Sequence, residues 1–147
     1  MKKKSHTKAM EWVVWANLNK KKDLELILLK GHLILEIFMD NLLENNNQEH
    51  YKDLSFFGKV KRLNMVKGSE SVSIESIIFF LLSINKIRNQ FAHEWSFEVH
   101  GGEIEKWSLG VLSTFKGEKF SKYTYRTKII HAFSFLSGAL VEVQHQL

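Results

Sequence analysis

Residues 74–93 read IESIIFFLLSINKIRNQFAH, twenty positions with neither glycine nor proline and with apolar residues recurring at threes and fours, which predicts a long helix. With Ile87 placed at zero and about 100° per residue, Phe80, Ile84 and Phe91 fall within about 60° of it and form one core-facing stripe. Asn89 and His93 fall at about 200° and about 240°, on the far side, and Arg88 flanks at about 100°. That far side is not merely solvated, because Ile78 and Leu82 precede Asn89 and His93 on it. A helix with two apolar sides packs between two layers, the second being another helix of its own domain or a symmetry mate. Arg88, Asn89 and His93 at the end of such a surface are shielded yet accessible. A satisfied core histidine, the usual reading of a helical His, loses weight for His93.

The flanking segments extend the helical reading. Met10, Val13, Val14 and Leu18 predict a first helix over 6–20, its end marked by Lys20 to Lys22. Asp23 is a suitable cap for a second helix over 23–45, and Asn45, Asn46 and Asn47 make the polar turn that ends it. A short helix over 54–65 buries Phe56, Phe57, Val60 and Leu63 and turns Lys59, Lys61 and Arg62 outward, with a loop at 68–73. Ile129, Phe133, Leu136, Leu140 and Val143 predict a last helix over 124–144. Between these, Trp95, Phe97 and Val99 alternate with polar residues, Gly101-Gly102 suits a tight turn, and Ile104 and Trp107 follow. This predicts a β-hairpin over 95–109, with 110–122 as loop. The expected fold is therefore mainly all-α, an antiparallel bundle of four to five helices with a hairpin insertion.

Composition agrees. The 147 residues contain no proline and no cysteine, where average usage predicts roughly seven prolines; long helices tolerate that absence well. Lacking cysteine, the chain has neither a disulfide framework nor a zinc-thiolate site. The length suits one domain over 1–147, with no internal repeat or linker. The net charge of +5 is unevenly placed: residues 1–22 carry seven lysines against one acid, Glu11, a net +6, while 23–147 hold 14 bases and 15 acids. A lysine arm is usually solubilising, but Lys2, Lys3 and Lys4, with Lys59 and Arg62, are the candidate phosphate contacts. After Met1 to Lys4 no apolar signal core follows, and the longest clean apolar run, Ile77 to Leu82, is too short to span a bilayer. The expectation is a cytoplasmic protein with no membrane association.

Other chemistry-bearing residues are more plainly structural. His32, Glu36 and Asp40 recur every four residues; as a metal site the stripe is short of ligands, so a solvated stripe is the preferred reading and no metal or other cofactor is expected. His131 and His145 read as packing or surface residues, and His100 as part of a turn. Trp95 and Trp107 have the type to stack on bases, but core packing is the stronger reading. No glycine-rich phosphate loop or paired carboxylate motif argues for phosphate-transfer or nucleotidylation chemistry.

Arg88-Asn89-x-Phe91-Ala92-His93 at the end of a long apolar helix, preceded by Ile84-Asn85-Lys86-Ile87, resembles the signature of the HEPN superfamily, an arginine and a histidine four to six residues later in a small helical bundle. Upstream, Leu33 to Leu43 with the embedded Glu36 resembles that superfamily's first long helix. Phe56-Phe57-Gly58-Lys59-Val60 resembles a connecting segment of its mannitol-repressor-like and related branches. The likeness covers about residues 23–94 and, loosely, the final helix; the lysine arm and 95–109 fall outside it.

The resemblance implies a metal-independent endoribonuclease, toxin-like, working as a homodimer through the Ile74–His93 helix, with RNA as substrate and an antitoxin or regulatory protein as partner. The implied products are 2′,3′-cyclic phosphate ends. The residue types suit this. An imidazole, with an ordinary pKa near 6.5, takes a proton from a 2′-hydroxyl or supplies one to the leaving 5′-oxygen near neutral pH. A guanidinium fork holds the scissile phosphate. Asn89, on the face of His93, orients the imidazole or bonds a phosphate oxygen. One copy looks underequipped; two supply both base and acid. The alternative is a non-catalytic mannitol-repressor-like regulatory or protein-interaction module. There Arg88 pairs with a carboxylate such as Glu36, and Asn89 and His93 cap the helix end.

Overall fold

The computed structural model describes residues 2–66, 73–94, 102–116 and 123–145. Six α-helices follow one another: α1 (Lys2–Asn19), α2 (Leu24–Asn45), α3 (Phe56–Arg62), α4 (Ser73–His93), α5 (Glu103–Lys116) and α6 (Tyr125–His145). Short 3₁₀ turns at Tyr51–Asp53 and Leu63–Met65 flank α3. There is no strand among the described residues, and the chain is an all-α bundle.

Local chemistry sets the boundaries. Asp23, in extended conformation, caps α2 by accepting from the Glu25 N–H at 2.9 Å, and Ser55 caps α3 by accepting from the Gly58 N–H at 3.2 Å. Thr124 Oγ1 accepts from the Thr127 N–H in the same way at the start of α6. Beyond α2 the chain turns through Asn47 and His50, both with positive φ, a conformation asparagine tolerates better than most residues.

Helix α6 is the centre of the bundle and contacts α1, α2, α4 and α5. Its Ile129, Ile130, Phe133, Leu136, Leu140 and Val143 are buried, each such side chain worth about 1.5–3 kcal/mol. Gly31 lets α2 pass close over the Phe133 ring; a Cβ at that position would lie 2.6 Å from the ring carbons. Trp107 on α5 tilts against Phe133 at 4.8 Å between centroids and donates its Nε1–H to the Phe80 carbonyl at 2.9 Å. Arg126 ties the start of α6 to the α1–α2 connection, donating to the Asn19 carbonyl at 2.8 Å and to the Lys21 carbonyl.

The expected hairpin is not formed in its second half: Ile104 and Trp107 lie on α5, and the helix continues through Gly110 to Lys116 where a loop was expected. Residues 95–101, the other half of that hairpin, lie outside the described residues, as does most of the expected loop at 68–73. The physical reason is packing. Ile104, Trp107, Val111 and Leu112 have helical spacing and are buried together, and Gly110, which resembled a chain breaker, sits where a Cβ would come within 3.0 Å of the Phe80 ring. Glycine there permits close approach of α5 to α4.

Candidate functional site

The last two turns of α4 carry the signature residues. Asn89 and His93 are exposed and Arg88 is half-buried, in keeping with the far-side placement expected from the helical wheel. Arg88 Nη1 donates to Asn89 Oδ1 at 3.4 Å. Five positions separate Arg88 from His93, about 140° around the helix axis, and no hydrogen bond joins the two among the described residues.

Asn89 and His93 line an open groove of about 520 Å³ with Asn85, Gln90, Leu82 and, from α3, Phe57. Asn85, Asn89 and His93 succeed one another every four residues, so one helical stripe passes from the buried floor to the exposed rim. On the floor, His32 Nε2 donates to Asn85 Oδ1 at 3.0 Å, and the imidazole stacks on Phe56 at 4.0 Å between centroids. Burial pushes the His32 pKa below the ordinary histidine value; the charge of Arg88 adds to this, while the Asn85 hydrogen bond and Glu36 oppose it. Burial thus favours the neutral form of His32, which braces α4 from beneath through Asn85. The side-chain oxygen of Gln90 is buried and has no hydrogen-bond partner.

The stripe His32, Glu36, Asp40 is not the freely solvated face expected: His32 is buried and Glu36 and Asp40 are partly covered. Lys59, expected on the outer face as a phosphate contact, is turned inward and 5% exposed. Its ammonium lies 2.9 Å from Glu36 Oε2 and 2.8 Å from Asp40 Oδ1. Burial by itself lowers the Lys59 pKa, but the contacts and charges of Asp40 and Glu36 outweigh it and the net direction is upward. α3 covers this side of α2, a nonlocal pairing that the spacing within α2 does not reveal. Two consequences concern the site: Lys59 is not free to meet a phosphate, and Glu36 is engaged by Lys59 rather than by Arg88.

Arg62 donates to Gln48 Oε1 at 3.3 Å and to the Glu49 carbonyl at 3.2 Å, holding the turn after α2. The side chains of Lys2, Lys3 and Lys4 lie outside the described residues, although the backbone there is part of α1. Trp107 is a core residue. His131 packs in an aromatic row with Trp15, Tyr123 and Phe135. Trp95 and His100 lie outside the described residues, as does the side chain of His145. Among the described residues no group of three or more His, Asp or Glu side chains is placed to hold a metal ion, and no helix is long and apolar enough to cross a membrane.

Sequence reasoning did not single out Asn85 and His32 as parts of this site. The four-residue spacing of Asn85, Asn89 and His93 was the available signal for the first; the second required the α2–α4 packing. Comparisons with protein-family models, with curated proteins and with solved structures find no match.

Proposed function

We propose that the chain is a HEPN-type, metal-independent endoribonuclease, toxin-like and cytoplasmic, that cleaves RNA at a composite site formed by two copies meeting along α4. The observation that carries this reading is the state of the signature residues. Asn89 and His93 stand exposed on the rim of one groove with Arg88 beside them, and Glu36, the carboxylate expected to pair with Arg88 in the non-catalytic reading, is engaged by Lys59 instead. Phe57, expected to be buried, is exposed and lines the groove beside the half-buried Leu82, apolar surface suited to a second copy.

In the proposed reaction His93 of one copy takes the proton of a ribose 2′-hydroxyl. The 2′-oxygen attacks phosphorus, the bond from phosphorus to the 5′-oxygen breaks, and His93 of the other copy protonates that leaving oxygen. Arg88 holds the phosphate and balances its developing charge. The products are a 2′,3′-cyclic phosphate and a 5′-hydroxyl. An antitoxin or regulatory partner would act by covering the groove.

The second reading is a non-catalytic regulatory module. The separation of Arg88 and His93 by about 140° within one copy favours it, since a single chain does not converge the two groups. The deciding experiment incubates purified protein with RNA in EDTA and maps the ends. The expected result is cyclic phosphate ends, lost by about a hundredfold or more in His93→Ala and in Arg88→Ala with unchanged melting. RNA intact in EDTA, or cut equally well by His93→Ala, refutes the nuclease; altered partner binding with RNA uncut supports the regulatory module.

A further inference from the structure

A second concave site lies between α1 and α6, outside the site on α4. Its α1 side presents Lys8, Glu11, Trp12 and Trp15, and its α6 side His131, Ser134 and Phe135, around a groove of about 350 Å³, at the small end of ligand-sized cavities. Glu11 is the unusual member. It is only 8% exposed, and isolated buried carboxylates are costly unless a cation meets them. Gly138 makes room for it, since a Cβ there would collide with the Glu11 side chain. Burial raises the Glu11 pKa, Glu142 adds to this, and Lys116 and Lys8 oppose it.

Lys8 stands at the groove and acts on Glu11 through its charge alone, and the ion pair that Glu11 makes is a loose one. Lys116 Nζ lies 3.4 Å from Glu11 Oε2, on a side chain that is 37% exposed, and the same ammonium sits 4.8 Å from the centre of the Phe135 ring. An ammonium between a carboxylate and an aromatic face is the arrangement by which alkylated ammonium ions are recognised. Two further features are unspent. Trp12 leaves a large ring 66% exposed at the rim, and Trp15 Nε1 is buried with no hydrogen-bond partner among the described residues, a donor suited to a ligand oxygen.

We propose that the groove between α1 and α6 binds a small alkylammonium ion bearing an oxygen, held by the Glu11 carboxylate and the aromatic rings of Trp12, Trp15 and Phe135 that line it. Lys116 is the internal cation that this ligand displaces. The proposal is independent of the chemistry assigned to α4. An alkylammonium group exceeds a lysine in apolar contact area, so it gains more from the rings while keeping the charge that Glu11 requires.

The test uses choline as probe and, as control, its uncharged carbon isostere, in which a tert-butyl group replaces the trimethylammonium. Binding is followed by tryptophan fluorescence and calorimetry at constant ionic strength. Choline should bind saturably and the isostere at least about tenfold more weakly, because only the former carries the charge. Glu11→Gln should weaken choline by about tenfold, and Trp12→Ala, an exposed position whose change leaves the fold intact, should weaken it comparably. Lys116→Gln should bind choline several-fold more tightly and gain melting temperature on its addition. Equal binding of the isostere overturns the proposal. So does choline affinity unchanged in Trp12→Ala, or absence of saturable binding to the Lys116→Gln protein.

Discussion

Replacing Lys59 by Met keeps a flexible chain of similar length while removing the ammonium that lies 2.9 Å from Glu36 and 2.8 Å from Asp40. Breaking a buried ion pair by removing one partner costs about 3–5 kcal/mol, because the remaining charge stays desolvated. Here the carboxylates keep some contact with water, the Glu36 and Asp40 side chains being 27% and 32% exposed, so part of that cost is relieved by hydration. Desolvation of the lysine itself is also no longer paid. We therefore expect a loss of about 2–3 kcal/mol, or about 4–12 °C in melting temperature for a chain of this size. Urea denaturation followed by far-UV circular dichroism measures it. The triple variant Lys59→Met, Glu36→Gln, Asp40→Asn should recover most of the loss, since no charge is then left unpaired. A Lys59→Met protein within about 0.5 kcal/mol of the parent refutes the reasoning, because that is the ordinary range of inconsequential surface changes. A triple variant no more stable than the single one refutes it equally. Because Lys59 secures α3, and α3 supplies Phe57 to the groove of Asn89 and His93, the single variant should also alter that groove.

Gly31→Ala should destabilise by about 1–2 kcal/mol, overpacking against the buried Phe133 ring outweighing alanine's better helix propensity; a second change, Phe133→Leu, should reduce the penalty, and an unchanged or raised melting temperature for Gly31→Ala would contradict the close approach. Stability should also fall on acidification from about pH 7.5 to about 5.5. Burial lowers the pKa of both His32 and His131, so the unfolded chain takes up protons first, and the stabilisation present above about 6.5 is lost as pH falls toward the folded values. Glu11, whose pKa is raised, acts in the opposite sense at more acid pH. A flat urea midpoint across the interval, or an unchanged slope in His32→Gln, would count against it.

The long helices were legible because each carries its own periodicity: Ile74 to His93 and Leu24 to Asn45 match α4 and α2 closely. α5 was not, because the alternation at 95–99 and Gly101-Gly102 suited a hairpin and 110–122 read as loop, and only the Phe80 ring beside Gly110 explains why glycine stands inside a helix. The exposed placement of Asn89 and His93 followed from angles on one helix. The positions of Lys59, Glu36 and His32 did not, since which side of α2 is covered depends on α3 and α4, elements up to 53 residues away along the chain. Local pattern carried the rim of the site, and tertiary packing its floor.

The packing of α1 on α6 has a consequence for synthesis. Ser134 donates to the Glu11 carbonyl across 123 residues of chain, so α1 acquires its native neighbour only when nearly all of the sequence has been made. At about 5–20 residues per second that interval is about 6–25 s. Throughout it Val14, Leu18 and the apolar faces of α2 and α5 that close on α6 lack their central partner. A ribosome that stalls before residue 125 therefore leaves a chain missing the helix around which the others assemble.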